Sequence, residues 1–170
     1  MTENLTGERA DLLETLRTRR EFLRATVQGI TDEQAARRTT ISELCLGGLI
    51  KHVTSTEKGW ADFIVDGPST TPDYSDPKVQ EEYANTFRML PGETLEGLLA
   101  EYEKVAARTD DLVATVPDLN AGHTVPAAPW KAAHFWSARA TLLHIIAETA
   151  HHSGHADIIR EALDGAKTMG

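Results

Sequence analysis

The chain has 170 residues, 41% of them hydrophobic, and a formal net charge of −9. That length and composition fit one folded domain over residues 1–170, with a core large enough to need no covalent staples. The acidic balance argues against a general nucleic-acid binder and against docking on anionic lipid, since both need basic surface.

Cys45 is the single cysteine, so no intrachain disulfide forms, as suits a reducing compartment. The first twenty residues, "MTENLTGERADLLETLRTRR", lack the apolar core of a signal peptide. No apolar run approaches the ~18–20 residues that span a bilayer. These features predict a soluble, cytoplasmic protein that works on a small molecule, with no membrane or nucleic-acid partner.

The first helical pattern covers residues 6 to 29, where Leu12, Leu13, Leu16, Phe22, Leu23 and Val27 recur at three- and four-residue spacing. Gly29 can stop it, and Thr31 can cap a short helix beginning "DEQ". A second long helix is expected over 42–65, capped by Ser42 and ended by Gly67 and Pro68. The stretch "DGPSTTPDYSDP" reads as loop, and a short helix over 78–89 follows. The third long helix starts near Thr94 and closes at Pro117. "PDLNAGHTVPAAPWKAAHFW" again reads as loop, and the fourth long helix runs from Ser137 to about 164, with Gly165 as its stop. No period-2 strand of useful length is visible. The predicted fold is all-α, a four-helix bundle with long crossover loops.

The fourth helix carries "HIIAETAHHSGHADIIRE", with four histidines and a glutamate among apolar residues. At about 100° per residue, His144, Glu148, His151, His152 and His155 share roughly a third of the helix circumference. Ile145, Ile158, Ile159, Ala162 and Leu163 share or border that arc, so the cluster is expected to face the bundle interior. On the second long helix, His52 falls in one arc with Cys45, Leu49, Val53, Thr56, Trp60, Phe63 and Ile64. Packing these two helices together brings His52 toward Glu148, His152 and His155.

Buried polar groups without partners cost ~1–3 kcal/mol each, and charges cost more. A divalent metal would satisfy them. Neutral imidazoles and a carboxylate suit Zn²⁺, with Ni²⁺, Fe²⁺ and Mn²⁺ as other candidates. Glu148 and His152, one helical turn apart, can grip a single ion, and His52 completes a three-ligand set. Three protein ligands leave coordination positions open, the pattern of a catalytic site. His155 is the candidate catalytic residue, with three roles open to it: fourth ligand, partner of a ligand, or acid/base for a bound water. His144 and His151 are read as supporting residues.

At these residues the chain resembles the DinB/YfiT-like superfamily, particularly an actinobacterial branch. The resemblance is carried by "LGGLIKHV", "ETAHHSGHADIIRE", "FLRATVQGITDEQAARRTT" and "WSARATLLHIIAETA". It implies a mononuclear metal held by His52, Glu148 and His152. Many relatives have His where this chain has Glu148, and those acting with mycothiol on maleylpyruvate similarly use Glu. It also implies a thiol S-transferase using a low-molecular-weight thiol such as mycothiol, bacillithiol or glutathione, and a homodimer. There the metal would lower the thiol pKa and create a thiolate nucleophile.

Three other functions compete: a metal-dependent hydrolase, isomerase or cyclase; a binding or stress protein stapled by metal; and a bundle with no metal at all. Cys45 reads as a small core residue. Trp60, Trp130 and Trp136 read as core or rim, and His123 and His134 as loop residues near the site mouth. Arg139 either binds an acidic substrate group or pairs with a surface carboxylate. The basic runs at 18–20 and 36–38 read as solvated faces.

Overall fold

A computed structural model describes residues 5–69, 73, 75–128 and 131–168. Pro129, Trp130 and residues 70–72 and 74 of the expected loops lie outside the described residues. The elements are α1 (Glu8–Ala25), α2 (Asp32–Ala36), α3 (Leu46–Asp66), α4 (Pro77–Asn85), α5 (Leu95–Thr115), β1 (Gly122–Val125), β2 (His134–Ser137) and α6 (Ala138–Asp164). The four long helices pack as α1 on α6, α3 on both α5 and α6, and α1 on α5. This is the expected mostly helical bundle.

Capping chemistry places most of the helix starts. Thr31 closes a capping box with Gln34 at the head of α2. Thr94 and Ser137 accept from the backbone N–H of Gly97 and Ala140, both at 3.1 Å, and start α5 and α6 where expected. Gly165, in the left-handed conformation, ends α6. Ser42 does not cap α3. Its Oγ accepts from Leu44 N–H at 3.2 Å in a local bend, which leaves Cys45 as the cap position.

The stretch expected to be loop before α6 contains a two-stranded antiparallel ribbon, with Gly122 opposite Ser137 and Val125 opposite His134. Four-residue strands are too short to show an alternating pattern in sequence. Gly122 is required at the crossing, because a Cβ there would lie 1.9 Å from the Trp136 carbonyl oxygen.

The apolar core has two parts. One gathers Leu23, Leu46, Leu49, Ile50, Val53, Tyr102 and Ile159. The other gathers Leu12, Leu16, Val113, Leu142 and Ile145, with Trp60 and Ile64 packed against it. Along each long helix a buried polar residue falls between the two: Arg20 on α1, Glu57 on α3, Thr109 on α5 and Thr149 on α6. Arg20 belongs to a basic run expected to be solvated, yet it faces inward with Leu16 and Leu23. It donates to Glu57 through Nε at 3.2 Å and Nη2 at 2.5 Å, and through Nη1 to Asp110 at 2.6 Å. Among the described residues, no helix is long and apolar enough to cross a membrane.

Candidate metal centre

α3 and α6 pack side by side and bring His52 to Glu148 and His152. One ligand atom from each lies within 4.8 Å of the other two. Glu148 Oε2 and His152 Nε2 are 3.6 Å apart. That is beyond hydrogen-bond length and near the ~3.4 Å edge of a tetrahedral set with bonds of about 2.1 Å. A carboxylate and two imidazoles converge without bonding one another directly, so the donor set fits a divalent ion.

The depth of each residue follows the α6 wheel, with one correction. The buried residues Thr141, Leu142, Ile145, Thr149, Ala156 and Ile159 centre roughly 100° round from His144. The histidine cluster therefore lies on the flank of the buried stripe rather than along it. His152 is deeper than Glu148, with side chains 12% and 30% exposed; His155 is half-buried, and His151 is exposed. Ile158, expected inward, is 63% exposed because it lies on the far side of His151.

His52 is 7% exposed. Its ring stacks on Phe87 with centroids 3.9 Å apart, and the His152 ring meets its edge at 4.8 Å. Burial, then the neighbouring His152, pushes the His52 pKa down to about 4. Burial also lowers the His152 pKa; Glu148 opposes this, while His155 and His151 add to it. Both imidazoles are thereby held neutral, the form that binds a cation.

The remaining candidates surround this set. His144 Nε2 stands 3.6 Å from the other Glu148 oxygen, so the carboxylate is bracketed by two histidines. Burial lowers the His144 pKa, with Glu148 opposing and Lys131 assisting. His144 is flanked by Trp60 at 5.0 Å and Trp136 at 4.8 Å, both ring to ring. These two tryptophans, 4.9 Å apart ring to ring, form an aromatic wall beside His144, and Trp136 is delivered by the unforeseen ribbon. His155 places Nδ1 3.4 Å from His152 Nδ1, on the side of that ring away from Glu148.

His134 packs on Trp136, and His123 on Phe63. Arg139 bonds Glu8 and Asn120, the surface-pair reading of that residue. Cys45 is buried, with Sγ 3.7 Å from the Phe87 carbonyl oxygen. The helix expected over 78–89 ends at Asn85, and sequence reasoning did not connect the segment 86–89 beyond it with the site. Thr86 Oγ1 lies 3.1 Å from His52 Nδ1, and Phe87 supplies the stacking ring. The "GG" of "LGGLIKHV" was a usable signal. A Cβ on Gly48 would sit 1.9 Å from the Phe87 carbonyl oxygen, and one on Gly47 2.1 Å from Met89 Sδ. Adjacent glycines at a helix start mark close backbone approach.

A search of the curated proteins found no match. Among solved structures, a conserved protein from Enterococcus faecalis is similar in fold, with a TM-score of 0.68 at 15% identity, covering 95% of this chain and 100% of that one. A family model described as mycothiol S-transferase matches residues 11–165, and the chain belongs to that DinB/YfiT-like family.

Proposed function

We propose that this protein is a divalent-metal-dependent S-transferase that joins a mycothiol-type thiol to a small electrophile. The observation that carries the reading is the convergence of His52, Glu148 and His152, three donors from two helices within 4.8 Å. Membership of the mycothiol S-transferase family supports the choice of thiol chemistry. Zn²⁺ is the cation the donor set suits best, with Ni²⁺, Fe²⁺ and Mn²⁺ as alternatives.

A bound divalent cation supplies the positive charge that lowers a thiol's pKa. His52 and His152 hold their imidazoles neutral and ready to bind it. Glu148 contributes the one negative charge of the set and so lowers the net charge of the loaded site. Trp60 and Trp136 supply an apolar surface beside His144 against which an electrophile can lie. The 3.4 Å contact between Nδ1 atoms supports His155 as the partner that orients His152, in preference to a fourth ligand.

The test incubates metal-loaded protein with a model electrophile and each candidate thiol. Turnover with one thiol, and a shift in the visible spectrum of Co²⁺-loaded protein on adding that thiol, are expected. Absence of both with every thiol would overturn the reading, and hydrolysis without thiol would replace it with a water-activating enzyme.

A further inference from the structure

A neutral imidazole carries one N–H and one bare nitrogen, and only the bare one binds a cation. His52 has a hydroxyl beside each nitrogen. Thr86 Oγ1 is 3.1 Å from Nδ1, and Thr56 Oγ1 is 3.5 Å from Nε2. The two hydroxyls are not equivalent. Thr86 already donates its single proton to the Tyr83 carbonyl at 2.7 Å. An oxygen whose proton is committed can only accept, so the N–H must be on Nδ1. Thr56 makes the longer contact, and its hydroxyl is free to turn its proton toward a bare Nε2 or away from it.

We infer that Thr86 is a positioning residue of the metal centre: its hydroxyl, locked onto the Tyr83 carbonyl, accepts from His52 Nδ1–H and so leaves Nε2 for the cation. The inference rests on the metal-centre reading above and adds the residue that sets the ligand's tautomer.

The local structure explains why this hydroxyl is dependable. Thr86 is the C-cap of α4, in right-handed helical conformation. From there its side chain reaches the carbonyl three residues back, a habitual bond for threonine near a helix end. The chain beyond it is pressed onto α3 by the close approach at Gly47 and Gly48. Lys51 Nζ donates to the Arg88 carbonyl at 3.4 Å and ties the same segment down. Phe87, stacked at 3.9 Å and tilted 22°, fixes the plane of the His52 ring so that Nδ1 stays at Thr86. The crossover helix α4 thus orients a ligand as well as bridging α3 and α5.

The test reads the tautomer in metal-free, ¹⁵N-labelled protein by long-range ¹H–¹⁵N correlation, with the His52 signals assigned by their loss in His52→Gln. Wild type is expected to show a protonated Nδ1 and a bare Nε2. Thr86→Val keeps the side-chain shape but removes the acceptor. It should mix or reverse the tautomers and weaken Zn²⁺ binding about 10–100-fold. Thr86→Ser should restore both, which loss of packing alone would not explain. A wild-type His52 protonated on Nε2, or a folded Thr86→Val with unchanged tautomer and unchanged Zn²⁺ affinity, would overturn the inference. Should wild type bind no more Zn²⁺ than His52→Gln, the metal reading itself fails, and the metal-free spectrum separately decides the Thr86–His52 bond.

Discussion

Arg20 and His52 are both polar, both buried, and both on helices that face the core, but their surroundings are opposite. Arg20 makes a two-pronged bond to Glu57 and a further bond to Asp110, which Arg17 also reaches at 2.9 Å. Arg20 and Glu57 are matched in charge and in hydrogen bonds without outside help. The His52 set is not. Among the described residues, no hydrogen bond reaches the Glu148 carboxylate, whose oxygens stop 3.6 Å from His144 and His152. Burial of polar groups therefore does not by itself distinguish a structural layer from a site. A carboxylate that converges with imidazoles yet accepts no hydrogen bond does.

The contrast can be broken most forcefully at Arg20. Arg20→Leu leaves the Glu57 carboxylate buried and unpaired, and should cost ~3–5 kcal/mol in urea unfolding. The double change Arg20→Leu with Glu57→Leu should cost far less. Neither should alter Zn²⁺ binding by the folded fraction, measured by calorimetry. A double variant as unstable as the single would show that packing, not charge pairing, holds this layer.

At the metal set the expected effect is on ligand-linked stability. With Zn²⁺ at a thousand times its Kd, wild type should gain about 4 kcal/mol in unfolding free energy. His152→Ala should lose that gain while its metal-free stability changes much less. An equal metal-free loss in the two clusters would erase the distinction between them.

Acid supplies a third probe. The folded His52 pKa lies below the unfolded value, so the group favours the native state above pH 6.5 and loses that contribution as pH falls through about 4. The gap between 6.5 and about 4 corresponds to ~3 kcal/mol in the metal-free protein. His52→Gln should flatten this slope in denaturant midpoints taken between those two pH values. An unchanged slope would assign the acid sensitivity to other groups.

The smallest expected change sharpens the role of the segment 86–89. Gly48→Ala must push the Phe87 carbonyl away and should cost ~1–3 kcal/mol. It should also weaken Zn²⁺ binding, although it touches none of the three donors. Weaker stability with unimpaired Zn²⁺ affinity would confine Gly48 to packing.

Sequence reading reached the converging His52, Glu148 and His152 cluster because its signals are periodic or local. Helical spacing put Glu148 and His152 one turn apart and placed His52 on an inward arc. Caps such as Thr31, Thr94 and Ser137 announced their helices through their own side chains. The misreadings have three separate causes. Ile158 looked inward because a wheel reports relative angle, not which angle faces the core. Arg20 looked solvated because its partner Glu57 is 37 residues away. The ribbon at 122–137 was hidden because four-residue strands carry too few alternations.

The sequence alone determined a helical bundle, its helix boundaries to within a few residues, and the three side chains with the chemistry to hold a cation. Those follow from periodicity and residue type, which survive without coordinates. The tertiary structure decided which buried charges are already paired, which histidine faces solvent, and that Thr86 and Phe87 are delivered onto His52. These depend on contacts between segments distant in the chain, and a one-dimensional pattern does not encode where two surfaces meet.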